Sequence, residues 1–461
     1  MTAGTPPRGP ARLAPGAWAA AGAAALLAMT AWLMPATPPP AAADAGTTGR
    51  ISRACFTTGG GAQVGVAASG SGVGQATLAA PGAVTDVASP GVLTLGKEPV
   101  RLSAPGDTTF SGVVSASGAP GADQGLGLVA CGGPGSEHWF AGVRSEANAG
   151  ADLVLVNLDA AEAAVNVAVL GPDGALAAPG ARGVVVAGQS QRVLPLGPLV
   201  NQAAPVTLHV TASVGRVAAV VRQRLFNGAS PLGADWLAPT AEPAQVVVVP
   251  AVPAGAGART LVVGNPGDRT AQVKVEVLGP DTAYAPVGVE QVDVPANATR
   301  AFELDKALAG KAVALRLTAS REIVAAVEAR TAGDVAFAVG AAPLTAPAPV
   351  TLPVPVGVSL AVTVANPGDA AVAVEVTAAD TAGKSLLAWS GQLAPGTAQV
   401  LAPAAAAATV LTVRSAQPGL RVAVAASGNV GAVPGLAVVN LMDSAAGAPS
   451  VTVTADPRAA S

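Results

Sequence analysis

The residue types that usually carry catalysis are scarce in this sequence of 461 residues. It contains two histidines, His138 and His209, and two cysteines, Cys55 and Cys131. A Ser-His-Asp arrangement therefore has few candidate members, and neither cysteine has a second Cys or His at the spacing of a zinc site. Asp and Glu number 28, too many for the sequence to select a glycosidase carboxylate pair. We expect no catalytic, cofactor-binding or metal-binding residues and no enzymatic activity.

One segment matches the sequence pattern of a phosphate-binding loop. Residues 378–385 read AADTAGKS, and Gly383, Lys384 and Ser385 complete the loose P-loop pattern. That mechanism needs a helix after the loop, because N–H groups at the helix N-terminus hold the phosphate. The following residues, LLAWSGQLAPG, have no helical periodicity. We therefore expect a hairpin here and no nucleotide binding.

Composition excludes other classes. The chain has 25 Lys and Arg against 28 Asp and Glu, a net charge of -3, so the clustered basic surface of a nucleic-acid-binding protein is not expected. Half of the residues, 51%, are hydrophobic, which argues against a disordered chain despite 55 Gly and 40 Pro.

The N-terminus predicts export. Residues 17–34 are an uncharged apolar run that would span roughly 27 Å as a helix, close to the thickness of a bilayer core. Arg8 and Arg12 precede it, so residues 1–16 are predicted to be cytoplasmic and the Pro/Ala-rich linker 35–49 and everything after it to lie outside the cell. The alternative is a cleaved signal, since the stretch that ends at Ala43 fits a signal-peptidase site and would release a secreted protein.

Both cysteines lie on the exported side of this run. In an oxidising compartment two cysteines most simply pair, so we predict a disulfide between Cys55 and Cys131. The alternative is two unrelated buried thiols.

Three segments of the chain, 153–176, 261–284 and 361–385, align with one another. Their shared polar positions mark turns between strands: Asn157, Asn265, Asn366, Asp173, Asp281 and Asp380. In the second copy Val273, Val275 and Val277 alternate with polar residues, which is typical of an antiparallel strand with one solvated face.

The strand spacing predicts the fold class. About seven short strands per ~100 residues are typical of immunoglobulin-like or fibronectin-type β-sandwiches, so we predict an all-β tandem array after the N-terminal helix. Successive strands late in each copy are expected to pair with each other: 206–213 with 216–225, 313–320 with 322–330, and 410–415 with 420–427. The predicted modules are a degenerate N-terminal β module at 50–137 and three sandwiches at 138–238, 239–344 and 345–461, the last including a C-terminal tail.

The chain resembles an uncharacterised family of exported, membrane-anchored actinobacterial proteins, known only as a domain of unknown function. The resemblance rests on the N-terminal apolar run, on Cys131 followed by Trp139-Phe140-Ala141-Gly142, and on strand ends of the type Leu-x-Val-x-Asn-Pro. It covers residues 50–457, with Leu158 in place of Pro in the first copy. The resemblance implies a cell-envelope setting and carries over no catalytic residues.

The sequence thus favours a non-enzymatic envelope protein, an extracellular scaffold or interaction module without cofactors. Its expected partners are the membrane, through the N-terminal helix, and envelope proteins or cell-wall glycan. The alternative function is a glycan-binding module, for which Trp139, Trp236 and Trp389 are the candidate ligand aromatics. The weaker alternative is an exported hydrolase. His138 and the two tryptophans at module junctions, Trp139 and Trp236, are expected to pack, and His209 to face solvent.

Overall fold

A computed structural model describes residues 51–57, 62–70, 75–80, 83–96, 98–104, 108–118, 120–200, 202–345 and 348–442. They are all-β, with 64% strand and 1% helix. They lie in one compact unit, Thr48–Pro449. The predicted helix at 17–34 lies outside the described residues, and among those that are described no helix is long and apolar enough to cross a membrane.

The strands form four successive groups, which we call sandwiches I to IV. Sandwich I contains β1 (Ile51–Cys55), β2 (Gln63–Gly70), β3 (Gln75–Ala80), β4 (Ala83–Ala88), β5 (Gly91–Thr94), β6 (Val100–Ala104), β7 (Thr108–Gly118) and β8 (Gly125–Ala130). Sandwich II contains β9 (Glu137–Val143), β10 (Ala149–Asn157), β11 (Ala163–Gly171), β12 (Gly174–Leu176), β13 (Val184–Val186), β14 (Ser190–Pro195), β15 (Val206–Val214), β16 (Ala218–Asn227) and β17 (Ser230–Leu237).

Sandwich III contains β18 (Ala244–Val252), β19 (Arg259–Asn265), β20 (Ala271–Leu278), β21 (Ala283–Tyr284), β22 (Gln291–Val294), β23 (Ala298–Glu303), the short helix α1 (Asp305–Leu308), β24 (Val313–Arg330) and β25 (Val335–Val339). Sandwich IV contains β26 (Ala348–Pro353), β27 (Val358–Asn366), β28 (Val372–Asp380), β29 (Ser385–Leu393), β30 (Thr397–Leu401), β31 (Ala408–Ser415), β32 (Arg421–Val430) and β33 (Val433–Asn440).

Each sandwich consists of two antiparallel sheets over a shared apolar core. In sandwich I the strand orders are β1-β6-β3-β4 and β5-β2-β7-β8, and in sandwich IV they are β26-β31-β28-β29 and β30-β27-β32-β33. The strand order is therefore the same at the two ends of the chain. The immunoglobulin-like identity and the module limits stay predictions.

The alternating residues form the expected half-buried strands. In β20 the side chains of Val273, Val275 and Val277 are fully buried, whereas Lys274 is exposed. Alternate residues of a strand point to opposite faces, so period-two valines cover one core.

The predicted pairing of successive strands is wrong. β15 pairs with β11 and β9, whereas β16 pairs with β10 and β17 in the opposite sheet. In sandwich III the two predicted strands are one strand, β24, whose first half belongs to one sheet and whose second half belongs to the other. Every residue of its second half, from Ile323 to Ala329, is buried. This half of the strand therefore has no solvent-exposed face.

The predicted disulfide is confirmed. The Sγ atoms of Cys55 and Cys131 are 2.08 Å apart, and the bond closes a sequence separation of 76 residues. Both half-cystines are buried in the core of sandwich I.

The four sandwiches close into a ring. Apolar side chains of one sandwich enter the core of the next: those of sheet β14-β10-β16-β17 join the core of sandwich I, and those of β24 and β25 join the core of sandwich II. Sandwich IV in turn contacts both III and I. The I–IV contact joins distant residues, since the Thr351 Oγ1 donates to the Val66 carbonyl at 2.9 Å across 285 residues. Ring closure makes each sandwich bury a surface on two sides.

Candidate functional site

The last strand of each sandwich, β8, β17, β25 and β33, lies at the centre of the ring. We call these the axial strands. Each is the edge strand of its sheet, and β8 contacts β17, β17 contacts β25, β25 contacts β33, and β33 contacts β8. Edge strands carry unpaired N–H and C=O groups that need partners when buried. The backbone groups on the free edges of the axial strands therefore need partners at the axis.

Asp334, which precedes β25, supplies part of what these edges need. Its carboxylate is fully buried, and its Oδ2 accepts hydrogen bonds from the Leu126 N–H of β8 and the Leu436 N–H of β33, both at 2.8 Å. Its Oδ1 accepts from the Val335 N–H at 2.9 Å. Burial raises the pKa of Asp334 to about 7, although the three N–H groups oppose the shift. One side chain thus joins sandwiches I, III and IV.

A second buried carboxylate, Asp235 of β17, lies in the same region. It is fully buried, and its nearest donors among the described residues, the Trp236 and Phe337 backbone N–H groups, do not reach its oxygens with good hydrogen-bond geometry. Burial and the negative charge of Asp334 raise its pKa well above the ordinary value, while the Trp236 and Phe337 N–H groups oppose this. A protonated carboxyl avoids the large penalty of a buried charge, so Asp235 is expected to be neutral.

Arg222 provides the positive charge of this cluster. Its guanidinium is buried, contacts the Asp123 carboxylate at 3.4 Å and lies 5.1 Å from the centre of the Trp236 ring. Desolvation lowers its pKa, and attraction to the Asp123 carboxylate opposes the shift. Arg222 and the carboxyls of Asp123, Asp235 and Asp334 thus bring ionisable groups of sandwiches I, II and III together at the axis.

Two glycines let the axial strands approach Asp334. A Cβ on Gly125 would lie 2.0 Å from the Asp334 Oδ1, and a Cβ on Gly233 would lie 2.4 Å from the Asp334 Cα. Both glycines have φ in the left-handed region, at 120° and 126°. Only glycine satisfies both constraints at these positions.

The other ends of the axial strands surround a cavity of about 220 Å³, which we call the axial cavity. All four sandwiches contribute to it, through residues such as Leu128, Ala238, Val339 and Asn440. The Asn440 Nδ2 donates to the Val339 carbonyl at 3.0 Å, while its buried Oδ1 has no hydrogen-bond partner.

A second depression, of about 670 Å³, lies where sandwiches II and III meet. We call it the polar groove. Its polar lining residues are Glu137, Glu242, Gln245, Arg321 and Glu322. Trp139 also lines it, but His209 stacks on the indole with ring centres 3.8 Å apart, and Trp139 is only 6% exposed. The Glu137 Oε1 lies 2.9 Å from the His209 Nε2 and accepts from the Trp139 indole N–H at 2.8 Å.

The candidate aromatics lie in three separate places. Trp139 belongs to the groove, whereas Trp236 is buried at the I–II contact, 6.2 Å from the Phe56 ring. Trp389 of β29 is half-buried against the core of sandwich IV. The structure therefore does not bring these three indoles into one site.

The two histidines have structural contacts. The ring of His138 is partly buried, and its Nε2 lies 2.7 Å from the Val217 carbonyl; burial lowers its pKa. His209 lies on the outer face of β15, as expected, and its side chain is 27% exposed because the Trp139 indole covers one face of the ring.

The three repeated asparagines have the same geometry. Each is buried at the end of a strand: Asn157 ends β10, Asn265 ends β19 and Asn366 ends β27. The Asn265 Oδ1 accepts from the Gly267 N–H, and its Nδ2 donates to the carbonyls of Arg269 and Val294. Asn157 and Asn366 make the corresponding bonds to residues two and four positions ahead and to the facing sheet. These side chains fix the turns from within.

The three repeated aspartates lie at turns on the surface. Asp173 is 89% exposed at 3.7 Å from Arg300, and Asp281 is exposed. The Asp380 Oδ1 accepts from the N–H groups of Ala382 and Lys384 in the hairpin between β28 and β29. This hairpin contains the P-loop-like letters and no helix follows it in the described chain, as expected.

Sequence reasoning did not single out the axial cluster. Asp235 and Asp334 stand among 28 acidic residues, and a buried carboxylate has no distinctive neighbours in the sequence. Gly125 and Gly233, which approach Asp334, stand among 55 glycines. Across the described residues, no group of three or more His, Cys, Asp or Glu side chains could hold a metal ion.

The model of a family of unknown function, DUF5719, matches residues 83–404, more than two thirds of the chain. This range runs from β4 to the segment after β30 and so includes all or part of every sandwich. No curated protein matches the chain.

Proposed function

Because the chain belongs to the DUF5719 family of unknown function, we propose its role from its physical properties: a non-enzymatic scaffold or interaction module of the cell envelope. The observation that carries this proposal is the closed ring. Two neighbours for each sandwich, and the Asp334 carboxyl shared at the axis, hold the outer strands and loops in fixed relative positions. A fixed presentation of loops is what a binding scaffold needs, since loops on rigid frameworks carry most recognition.

The envelope setting rests on two features. The apolar run at 17–34 follows two arginines, and the Cys55–Cys131 disulfide is of the kind that persists in oxidising compartments. A retained N-terminal helix would anchor the ring to the membrane with the sandwiches outside. Cleavage near Ala43 would instead release it.

Cell fractionation with proximity labelling tests both parts. In the native cells the full chain should pellet with membranes after a high-salt wash, and external protease should remove a C-terminal tag. A labelling enzyme fused to the chain should mark a reproducible set of envelope proteins. A cytoplasmic protein with free thiols, or labelling no different from that of an unrelated exported protein, would contradict the proposal.

The polar groove favours glycan binding as a second candidate function. It is open and lined by carboxylates, an amide and the exposed Arg321, groups that hydrogen-bond sugar hydroxyls. Trp139, which also lines the groove, would report binding through its fluorescence even though His209 covers one of its faces.

Titration of the full chain with soluble cell-wall oligosaccharide separates this candidate from the pure scaffold. Binding in the groove should change tryptophan emission, and the double variant Arg321→Ala/Glu322→Gln should weaken the affinity at least tenfold. The matched control is Arg414→Ala, an exposed strand arginine of sandwich IV, which should bind normally. If saturating glycan does not change the tryptophan emission, glycan binding in the groove is refuted and only the scaffold role stays proposed.

A further inference from the structure

The axial cavity is larger than the voids that packing leaves in a protein core. Protein interiors are close-packed, and few of their voids are larger than one water molecule. An apolar cavity of roughly 150 Å³ can stay dry and take up a molecule the size of benzene. At about 220 Å³ the axial cavity has room for a somewhat larger body. It also lies where all four sandwiches converge, and ligand pockets form preferentially at such junctions.

Apolar side chains form most of the cavity wall. The described residues that supply them include Phe56, Leu128, Val220, Phe337, Val439 and Met442. Two lining residues, Ala342 and Met442, are exposed, so a ligand can enter from their side. An apolar body bound here would be stabilised in proportion to the apolar area that it buries.

Several N–H and O–H groups of the lining residues already have acceptors within the protein. The N–H groups of Gly132 and Ala341 donate to backbone carbonyls at 2.8 and 2.9 Å. The Thr240 hydroxyl donates to the Ala241 carbonyl at 2.8 Å, and the His138 Nε2 lies 2.7 Å from a backbone carbonyl. These groups are therefore not available to an acceptor on a ligand.

One acceptor on the cavity wall has no such partner. The Asn440 Oδ1 is buried and makes no hydrogen bond within the described residues, although buried polar atoms are almost always paired. The Asn440 Nδ2 donates to the Val339 carbonyl at 3.0 Å, and this bond fixes which atom of the amide is the unpaired oxygen. Because an acceptor is satisfied only by a donor, a ligand that pairs with this atom needs an O–H or N–H group.

We infer that the axial cavity binds a small neutral alcohol, a molecule with a compact apolar body and a single hydroxyl group that donates to the Asn440 Oδ1. The apolar body would occupy the space among Leu128, Val220 and Phe337. A neutral ligand needs no counter-charge, so its binding does not depend on the charge of any lining residue. The site differs from the polar groove, and its occupancy does not depend on the proposed envelope role.

Calorimetric titration with menthol and with menthone tests this inference. The two probes share one carbon skeleton, but menthol has a hydroxyl where menthone has a carbonyl, so only menthol can donate to the Asn440 Oδ1. The full chain would be held in lipid nanodiscs, with empty nanodiscs as the blank. Menthol should bind with one site per chain and at least tenfold more tightly than menthone, because menthone leaves the buried Asn440 oxygen unpaired. Equal affinity for the two probes, or no binding of menthol beyond the blank, would overturn the inference.

Variants then locate the site. Asn440→Leu removes the acceptor and keeps a side chain of similar size, so this variant should lose the preference for menthol over menthone. Ala342→Trp, at an exposed position on the cavity wall, should weaken the binding of both probes at least tenfold. The matched control Asn227→Leu, at an exposed asparagine of β16, should change neither affinity.

If Asn440→Leu does not fold, the Ala342→Trp result and the comparison of the two probes on the wild type still decide. A preference for menthol that persists in Asn440→Leu would refute the assigned hydrogen bond. Menthol binding that is unaffected by Ala342→Trp would refute the assignment to this cavity.

Discussion

Replacing Asp334 with Asn should change how the stability of the ring depends on pH. The carboxyl is fully buried at the axis, and its pKa is raised by burial from 3.8 to about 7. The folded state therefore binds this proton more tightly than the unfolded state does. Its contribution to the free energy of unfolding is complete below about pH 4 and is lost as the pH rises through 7.

The size of the effect follows from linkage. A shift from 3.8 to about 7 corresponds to about 4 kcal/mol in full, at about 1.4 kcal/mol per pKa unit. Between pH 5 and pH 8 the wild type should lose roughly 3 kcal/mol of this through Asp334 alone. Asp235, whose pKa burial also raises, changes stability in the same direction. The wild type should therefore be most stable in mild acid.

Asp334→Asn removes the titration but keeps the shape of the side chain. The amide can still accept from Leu126 and Leu436 with one atom, while its NH₂ faces the Val335 N–H, a cost of about 1–3 kcal/mol that does not vary with pH. The difference in unfolding free energy between variant and wild type should thus shift by roughly 3 kcal/mol in favour of the variant from pH 5 to pH 8.

Urea unfolding of the full chain at several pH values, followed by tryptophan emission, measures this difference. Trp236 is a suitable reporter because it adjoins Asp235 and contacts Arg222. The control Asp173→Asn removes a carboxylate that is 89% exposed and should give a profile parallel to that of the wild type. Parallel profiles for Asp334→Asn and wild type would refute the reasoning, because the carboxyl would then titrate alike in the folded and unfolded states.

Three further predictions concern the stability of the folded chain. Reduction of the Cys55–Cys131 bond, which spans 76 residues, should cost about 4 kcal/mol in the chain-entropy model, and the melting temperature with and without reductant measures it; a Cys55→Ala/Cys131→Ala variant should not respond to reductant. Asn265→Ala should lower the free energy of unfolding, measured in urea, by about 2–3 kcal/mol because buried main-chain groups lose their partner. The control Asn227→Ala, at an exposed asparagine, should have almost no effect. Equal effects of the two substitutions would contradict the role of the buried amide. Gly233→Ala should be at least about 2 kcal/mol worse than Gly174→Ala, since both have left-handed φ but only the first meets another backbone. If the two glycine variants have the same melting temperature, the close approach of Gly233 to Asp334 does not affect stability.

Much of the strand content was predictable from the sequence. The alternation of Val273, Val275 and Val277 with polar residues predicts a strand with one buried and one solvated face, because side chains alternate across a sheet. The pairing of Cys55 with Cys131 followed from their number and predicted compartment, and the turn positions of the asparagines followed from their place after apolar runs.

The arrangement of strands and sandwiches was not predictable in the same way. The break expected near Ser320 is absent, because β24 continues from one sheet into the other and its second half is buried on both faces. Whether neighbouring strands pair or face each other across a core depends on contacts between distant residues. Ring closure is the extreme case, since Val66 and Thr351 are 285 residues apart.

The axial cluster and cavity were missed for a related reason. Asp235 and Asp334 are buried because four edge strands meet around them. The sequence of each strand alone is that of an ordinary edge strand. The glycines that permit the approach are single letters in a glycine-rich chain. Properties that arise from the convergence of four segments leave no local pattern.

Chemical cross-linking tests ring closure most directly. Ser111 of β7 donates its hydroxyl to the Pro349 carbonyl of β26 at 2.6 Å, across the contact between sandwiches I and IV. Cysteines at these two positions, treated with a short bifunctional maleimide, should give an intramolecular cross-link in high yield. A control pair at Ser111 and Asp281, the latter exposed in sandwich III, should not. Cross-links between Ser111 and Pro349 that form no faster than those of the control pair would show that the sandwiches form an open chain, which would contradict the ring.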